Sequence, residues 1–105
     1  AFGQARYRIV LVHIPPYTGR GHGGKDLTEK WGHILNAAGI DMVISGHTHR
    51  YTRIEPREDL NSFPILILGR DMLLKADVSP ERLSFTLRDM KGEIFDAFSL
   101  IPKNP

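Results

Sequence analysis

The chain has 105 residues, 41% of them hydrophobic and 25% charged, which is enough for one modest core and points to one domain spanning residues 1–105. Its 14 basic and 12 acidic residues are interspersed and leave a net charge of +2, which gives no basic stripe of the kind that follows a nucleic-acid backbone. Cysteine is absent, so a disulfide framework and a thiolate metal site are excluded, and no run approaches the roughly 18 apolar residues of a membrane span. Nothing in the sequence assigns a compartment.

The first predicted element is the run "RYRIVLVH", in which Ile9 to Val12 read as a strand buried on both faces, bounded downstream by Pro15 and Pro16. The segment "IPPYTGRGHGGKD" that follows is rich in proline and glycine and reads as a loop. A helix is expected from Asp26, with Glu29 as its capping-box partner and Gly39 as its stop. Leu27, Trp31, Ile34, Leu35 and Ala38 fall at helical spacing and predict one apolar face with Trp31 in the core, while His33 falls off that face. "DMVISG" then reads as a second buried strand, completing a strand, helix, strand unit of the kind that makes parallel pairs. Beyond Tyr51, "YTRIEP", "PILILG", "LLKADV", "RLSFTL" and "EIFDAFSLI" read as strands of an antiparallel extension, with turns at Ser79-Pro80-Glu81 and Lys91-Gly92.

This order places chemistry at one edge. His13 ends the first strand and His47 and His49 follow the second, so all three are expected at the carboxyl end of a parallel sheet, where open α/β folds place ligands. Histidines two apart in an extended segment point to opposite sides, whereas a loop led by Gly46 lets both turn toward one point. With cysteine absent, imidazole and carboxylate are the strong ligands at hand, and imidazole suits first-row transition ions. His22, in the loop that begins beside His13, is a candidate proton donor to a leaving group if that loop folds back over the site.

Three other readings fail on particular residues. "GRGHGGK" has the glycine and lysine spacing of a P-loop, but Asp26 stands where a hydroxyl should meet magnesium, and its carboxylate would repel phosphate. A cupin barrel would carry a glutamate sooner after the histidine pair than Glu55, and a histidine-triad hydrolase would need histidine where Tyr51 stands.

The segments "VLVHIPPY" and "ISGHTHRY" resemble the last two motifs of the calcineurin-like metallophosphoesterases, and most closely the purple acid phosphatase branch. The resemblance implies α/β architecture: half of a layered sandwich, a parallel strand, helix, strand unit followed by antiparallel strands. It implies that His13 and His47 bind one metal ion and His49 a second, and that His22 contacts phosphate and protonates the leaving alcohol. Two metal ions (iron, manganese or zinc) would serve the whole enzyme, and one or none this segment. The substrate would be a phosphoester; nucleic acid and membrane are not expected partners, and self-association through an exposed sheet edge is.

The family's remaining ligand segments (Asp-x-His, Gly-Asp-x-x-Asp, and Gly-Asn-His followed by an acid) do not occur in this sequence. The chain therefore reads as the C-terminal part of such a catalytic domain. Three neutral imidazoles lack the anionic bridging ligands that hold two cations together, so the isolated segment is expected to bind one ion weakly and to be inactive. The alternative is a non-catalytic module that binds a metal or another protein through the same surface.

Overall fold

The computed structural model describes residues 5–17, 24–57 and 60–103, with 24–27 given by backbone alone. Its elements run β1 (Ile9–Leu11), α1 (Gly24–Ala37), β2 (Met42–Ser45), β3 (Thr52–Ile54), β4 (Ile65–Ile67), β5 (Leu73–Val78), β6 (Leu83–Arg88) and β7 (Ile94–Leu100). Strands β1, β2, β4 and β3 form one sheet in that spatial order, and β5, β6 and β7 form a second, antiparallel one.

The strand, helix, strand unit closes as expected: β1 and β2 are parallel, with Ile9, Val10 and Leu11 opposite Met42, Val43 and Ile44. The sequence misses one relationship. "PILILG" supplies β4, which runs parallel to β2 and is central in the first sheet, with only β3 antiparallel beside it. That placement explains the unbroken apolar run, because Ile65, Leu66 and Ile67 are all buried and face alternate sides.

Alternation along these strands builds two cores. Val43, Ile65 and Ile67, with Ile40 and Phe63, pack against Leu35 and Ala38 of the helical segment. Met42 and Leu66 face the other way, onto Leu83, Phe85 and Leu87 of β6. The first sheet thus lies between a helix and a second sheet. Each fully buried side chain of this kind contributes roughly 1.5–3 kcal/mol over an exposed one.

Several local expectations are corrected. The helix begins at Gly24, so Gly24 and Lys25 are not loop and Asp26 lies inside the first turn instead of capping it. Gly39 does stop it: its φ is 64°, the left-handed conformation that glycine adopts without strain, and its N–H bonds the Asn36 carbonyl at 3.3 Å. Trp31 is 51% exposed and Ile34 46%, so the buried stripe is narrower than the helical spacing implies; of the described side chains in that set, Leu35 and Ala38 reach the core, and the side chain of Leu27 lies outside the described residues. β1 is not buried on both faces either. It is an edge strand, and Leu11 is 75% exposed. His33 is exposed, as expected.

The two hairpin turns fall where predicted. Ser79 and Arg82 close the β5–β6 turn (N···O 2.9 Å), and Gly92, with φ 83°, sits in the β6–β7 turn on an N–H···O bond to Asp89. At the amino edge of the first sheet the buried Asp41 accepts backbone N–H bonds from Arg8 and Lys103, both 2.9 Å, and so ties the chain near residue 103 to the start of β1. Among the described residues no helix is long and apolar enough to cross a membrane.

Candidate functional site

The opposite, carboxyl edge of the first sheet carries the histidines. The parallel ladder continues one step past the strands, since Val12 N–H bonds Ile44 O and Gly46 N–H bonds His13 O, both 3.1 Å. His13 is thereby held level with Gly46. The loop beyond it is fixed from the helix side: Pro15 and Pro16 are buried, Tyr17 N–H donates to Thr28 Oγ1 at 2.6 Å, and Asn36 bonds the Tyr17 hydroxyl at 3.1 Å.

After β2 the chain turns sharply. Thr48 N–H bonds Gly46 O at 3.0 Å across His47, whose φ is 76°; this is the γ-turn of positive φ, which is rare and strained. His49 follows at φ 65°. The sequence assigns the turning to Gly46, but Gly46 does not use the left-handed region and a Cβ built on it would meet open space. The histidines themselves carry the unusual backbone, at a cost on the order of 1–3 kcal/mol each.

The turn brings two of the three rings together. Nδ1 of His47 lies 3.2 Å from Nε2 of His13, with the rings edge to face at 80° and centroids 5.0 Å apart. Zinc bound tetrahedrally at 2.0–2.1 Å holds neighbouring nitrogens about 3.3 Å apart, so this pair fits one first-row ion with little movement. His49 is not part of that pair. Its Nδ1 lies 3.1 Å from Nη2 of Arg70, and among the described residues no three histidine, aspartate or glutamate side chains form a group that could hold a metal ion. His22 lies outside the described residues, as does most of the "GRGHGGK" segment.

Arg70 and Asp96 are the site neighbours that the sequence does not announce. Arg70 follows the end of β4, and a parallel β4 brings it to the histidine edge; an antiparallel assignment hides it. Asp96, on β7 of the second sheet, accepts a hydrogen bond from the hydroxyl of Tyr51, two residues past His49. Arg53 is 3.6 Å from the same carboxylate oxygen and stacks over Phe98 at 4.6 Å. Burial first, and the Asp96 bond second, hold the Tyr51 hydroxyl above its usual pKa.

Comparison with known proteins bears on the same part of the chain. Residues 1–51 match the family model of calcineurin-like phosphoesterases. Over 48 residues the chain is 38% identical to purple acid phosphatase 18 of Arabidopsis thaliana, an alignment covering 43% of this chain and 11% of that protein, so the chain spans only a small part of the relative's length. Metal-dependent phosphoester hydrolysis is that family's chemistry, and all four candidate histidines fall inside the match. Residues 1–51, which hold the β1–α1–β2 unit and its histidine edge, are thus similar to calcineurin-like phosphoesterases.

Proposed function

We propose that residues 1–105 are the C-terminal segment of a binuclear metallophosphoesterase catalytic domain, in which His13 and His47 hold one metal ion, His49 holds the second and His22 protonates the leaving group. The observation that carries this reading is the 3.2 Å approach of His47 Nδ1 to His13 Nε2 at the carboxyl edge of the parallel sheet. The separation of His49 from that pair agrees with its assignment to a different ion.

Bound there, two such ions supply Lewis-acid polarisation of the phosphoryl group and lower the pKa of water. The chain's own contribution is positional. For both rings to present lone pairs to one cation, His13 keeps its proton on Nδ1 and His47 on Nε2. The ladder bond from Gly46 N–H to His13 O and the turn at His47 fix where those lone pairs meet. Two imidazoles complete at most half of a four-coordinate shell, and the carboxylates that close it belong to segments this sequence does not contain. The parent protein thus hydrolyses a phosphomonoester or diester with iron, manganese or zinc, and the 105-residue chain alone binds one ion weakly without turnover.

Calorimetric titration of the purified chain with zinc, alongside its His47→Ala variant and an assay with para-nitrophenyl phosphate, tests this. Weak one-site binding lost in the variant, with no hydrolysis, is the expected result. Hydrolysis by the 105-residue chain that depends on His47, or zinc binding indifferent to His47, overturns it. The coding sequence upstream of Ala1 is expected to encode Asp-x-His and Gly-Asn-His segments; their absence favours a non-catalytic module.

A further inference from the structure

The contact between Arg70 and His49 constrains the site beyond the ligand assignment. A guanidinium has five N–H donors, no acceptor, and stays protonated in proteins. Nδ1 of His49, 3.1 Å from Nη2 of Arg70, is therefore the acceptor, and the proton of the neutral ring sits on Nε2. In this arrangement His49 has no lone pair to give: one nitrogen is engaged by Arg70 and the other carries its proton.

His49 can become a ligand by two routes. Binding through Nδ1 displaces Arg70 directly. Binding through Nε2 moves the ring proton to Nδ1, where it meets the Arg70 N–H as donor against donor. Both routes expel the guanidinium. Its anchor does not move with it, because Gly69 runs so close beneath the Arg50–Tyr51 backbone that a Cβ there would lie 2.7 Å from Tyr51 N, and Asp71 turns the chain away at φ 54°. The freed side chain is exposed, lies at the carboxyl end of the strand beside β2, and has no carboxylate within ion-pair distance among the described residues.

We propose that Arg70 is the phosphate-binding residue of this site, held on His49 while the ring is metal-free and released toward the substrate's phosphoryl oxygens when a metal ion takes the ring. A planar fork of donors suits a tetrahedral oxyanion better than a point charge does. Metal loading and anion binding are thereby coupled through one hydrogen bond. This inference rests on the assignment of His49 as a ligand made above.

The test uses the 105-residue chain, with zinc as the metal and sulfate as a tetrahedral dianion that stays soluble beside it. Imidazole ¹H–¹⁵N correlation spectra should show His49 as the Nε2–H tautomer without metal, and zinc added in large excess over the His13–His47 site, so that the lone His49 ring is occupied as well, should shift the Arg70 guanidinium resonances together with those of His49. Arg70→Ala should tighten zinc at His49 about fivefold, the scale of one ordinary exposed hydrogen bond, and should abolish the sulfate response of the zinc-loaded chain. These effects have opposite signs, so loss of fold cannot produce both, and urea unfolding of the variant checks the fold directly. Arg70 resonances that ignore zinc, an unchanged His49 affinity in Arg70→Ala, or a sulfate response surviving in that variant each overturn the proposal while leaving the His13–His47 site standing. Failure of zinc to bind at His13 and His47 removes the proposed function and this inference with it.

Discussion

The hydroxyl of Tyr51 donates to the carboxylate of Asp96, joining the loop that carries His47 and His49 to the last strand of the other sheet. The β6–β7 register supports the contact. It steps from Leu87 opposite Asp96 to Arg88 opposite Ile94, leaving Phe95 as a bulge residue whose ring meets Tyr51 edge to face at 5.3 Å. Tyr51→Phe is therefore expected to lower stability by about 1–2 kcal/mol at neutral pH, measured by urea unfolding. The folded-state pKa of Tyr51 is raised while the unfolded value stays near 10. Its contribution is thus fully present below about pH 10 and falls as pH rises above it, so the gap between wild type and variant should narrow in alkali. A gap constant from pH 7 to 11 would contradict this account.

His47 tests whether strain is kept for chemistry. A non-glycine residue at φ 76° costs roughly 1–2 kcal/mol, and glycine in its place removes most of that while adding about 0.5–1 kcal/mol of chain entropy. His47→Gly is expected to be as stable as wild type or up to about 1 kcal/mol more stable, and to lose zinc binding altogether. A variant that is clearly destabilised would mean that the ring's contact with His13 holds the loop, and that strain is not what the site spends.

Two glycines near the site should behave oppositely. A Cβ on Gly69 would sit 2.7 Å from Tyr51 N and 3.1 Å from the Arg50 carbonyl carbon, both backbone atoms that cannot swing aside. Gly69→Ala should cost about 1–3 kcal/mol and weaken zinc binding by displacing the histidine loop. Gly46→Ala meets nothing within 4 Å and should stay within about 0.5 kcal/mol of wild type. Equal effects in chemical denaturation would mean that backbone packing beneath the loop does not position it.

How much of this could be read beforehand depends on the range of the cause. Local signals were legible: the apolar run ending at His13, Gly39 as a helix stop, the turn residues at Ser79 and Gly92, and the return of His13 and His47 to one edge. Pairing across distance was not. Whether "PILILG" joins β2 in parallel or a neighbour antiparallel is decided by tertiary packing, and Arg70 was invisible as a site residue until that was known. Exposure of Trp31 was equally hidden, since helical spacing predicts a face but not how far the sheet beneath it extends. The roles of Tyr51 and Asp96 required a contact between residues 45 positions apart.

The edge of β1 yields the last expectation. Arg8 O and Val12 N bond toward β2, so by alternation Ile9 and Leu11 direct their backbone N–H and C=O groups outward, where no described strand pairs with them. Leu11, 75% exposed, adds an apolar side chain to that row. A three-residue edge with an exposed leucine and no charge within the strand has little to resist pairing with a second copy. Light scattering of the purified chain should show association that rises with concentration, and Leu11→Lys should suppress it without changing the urea midpoint by more than about 0.5 kcal/mol in stability. A wild-type chain that stays monomeric across the same range would show that the edge is protected by something other than strand pairing.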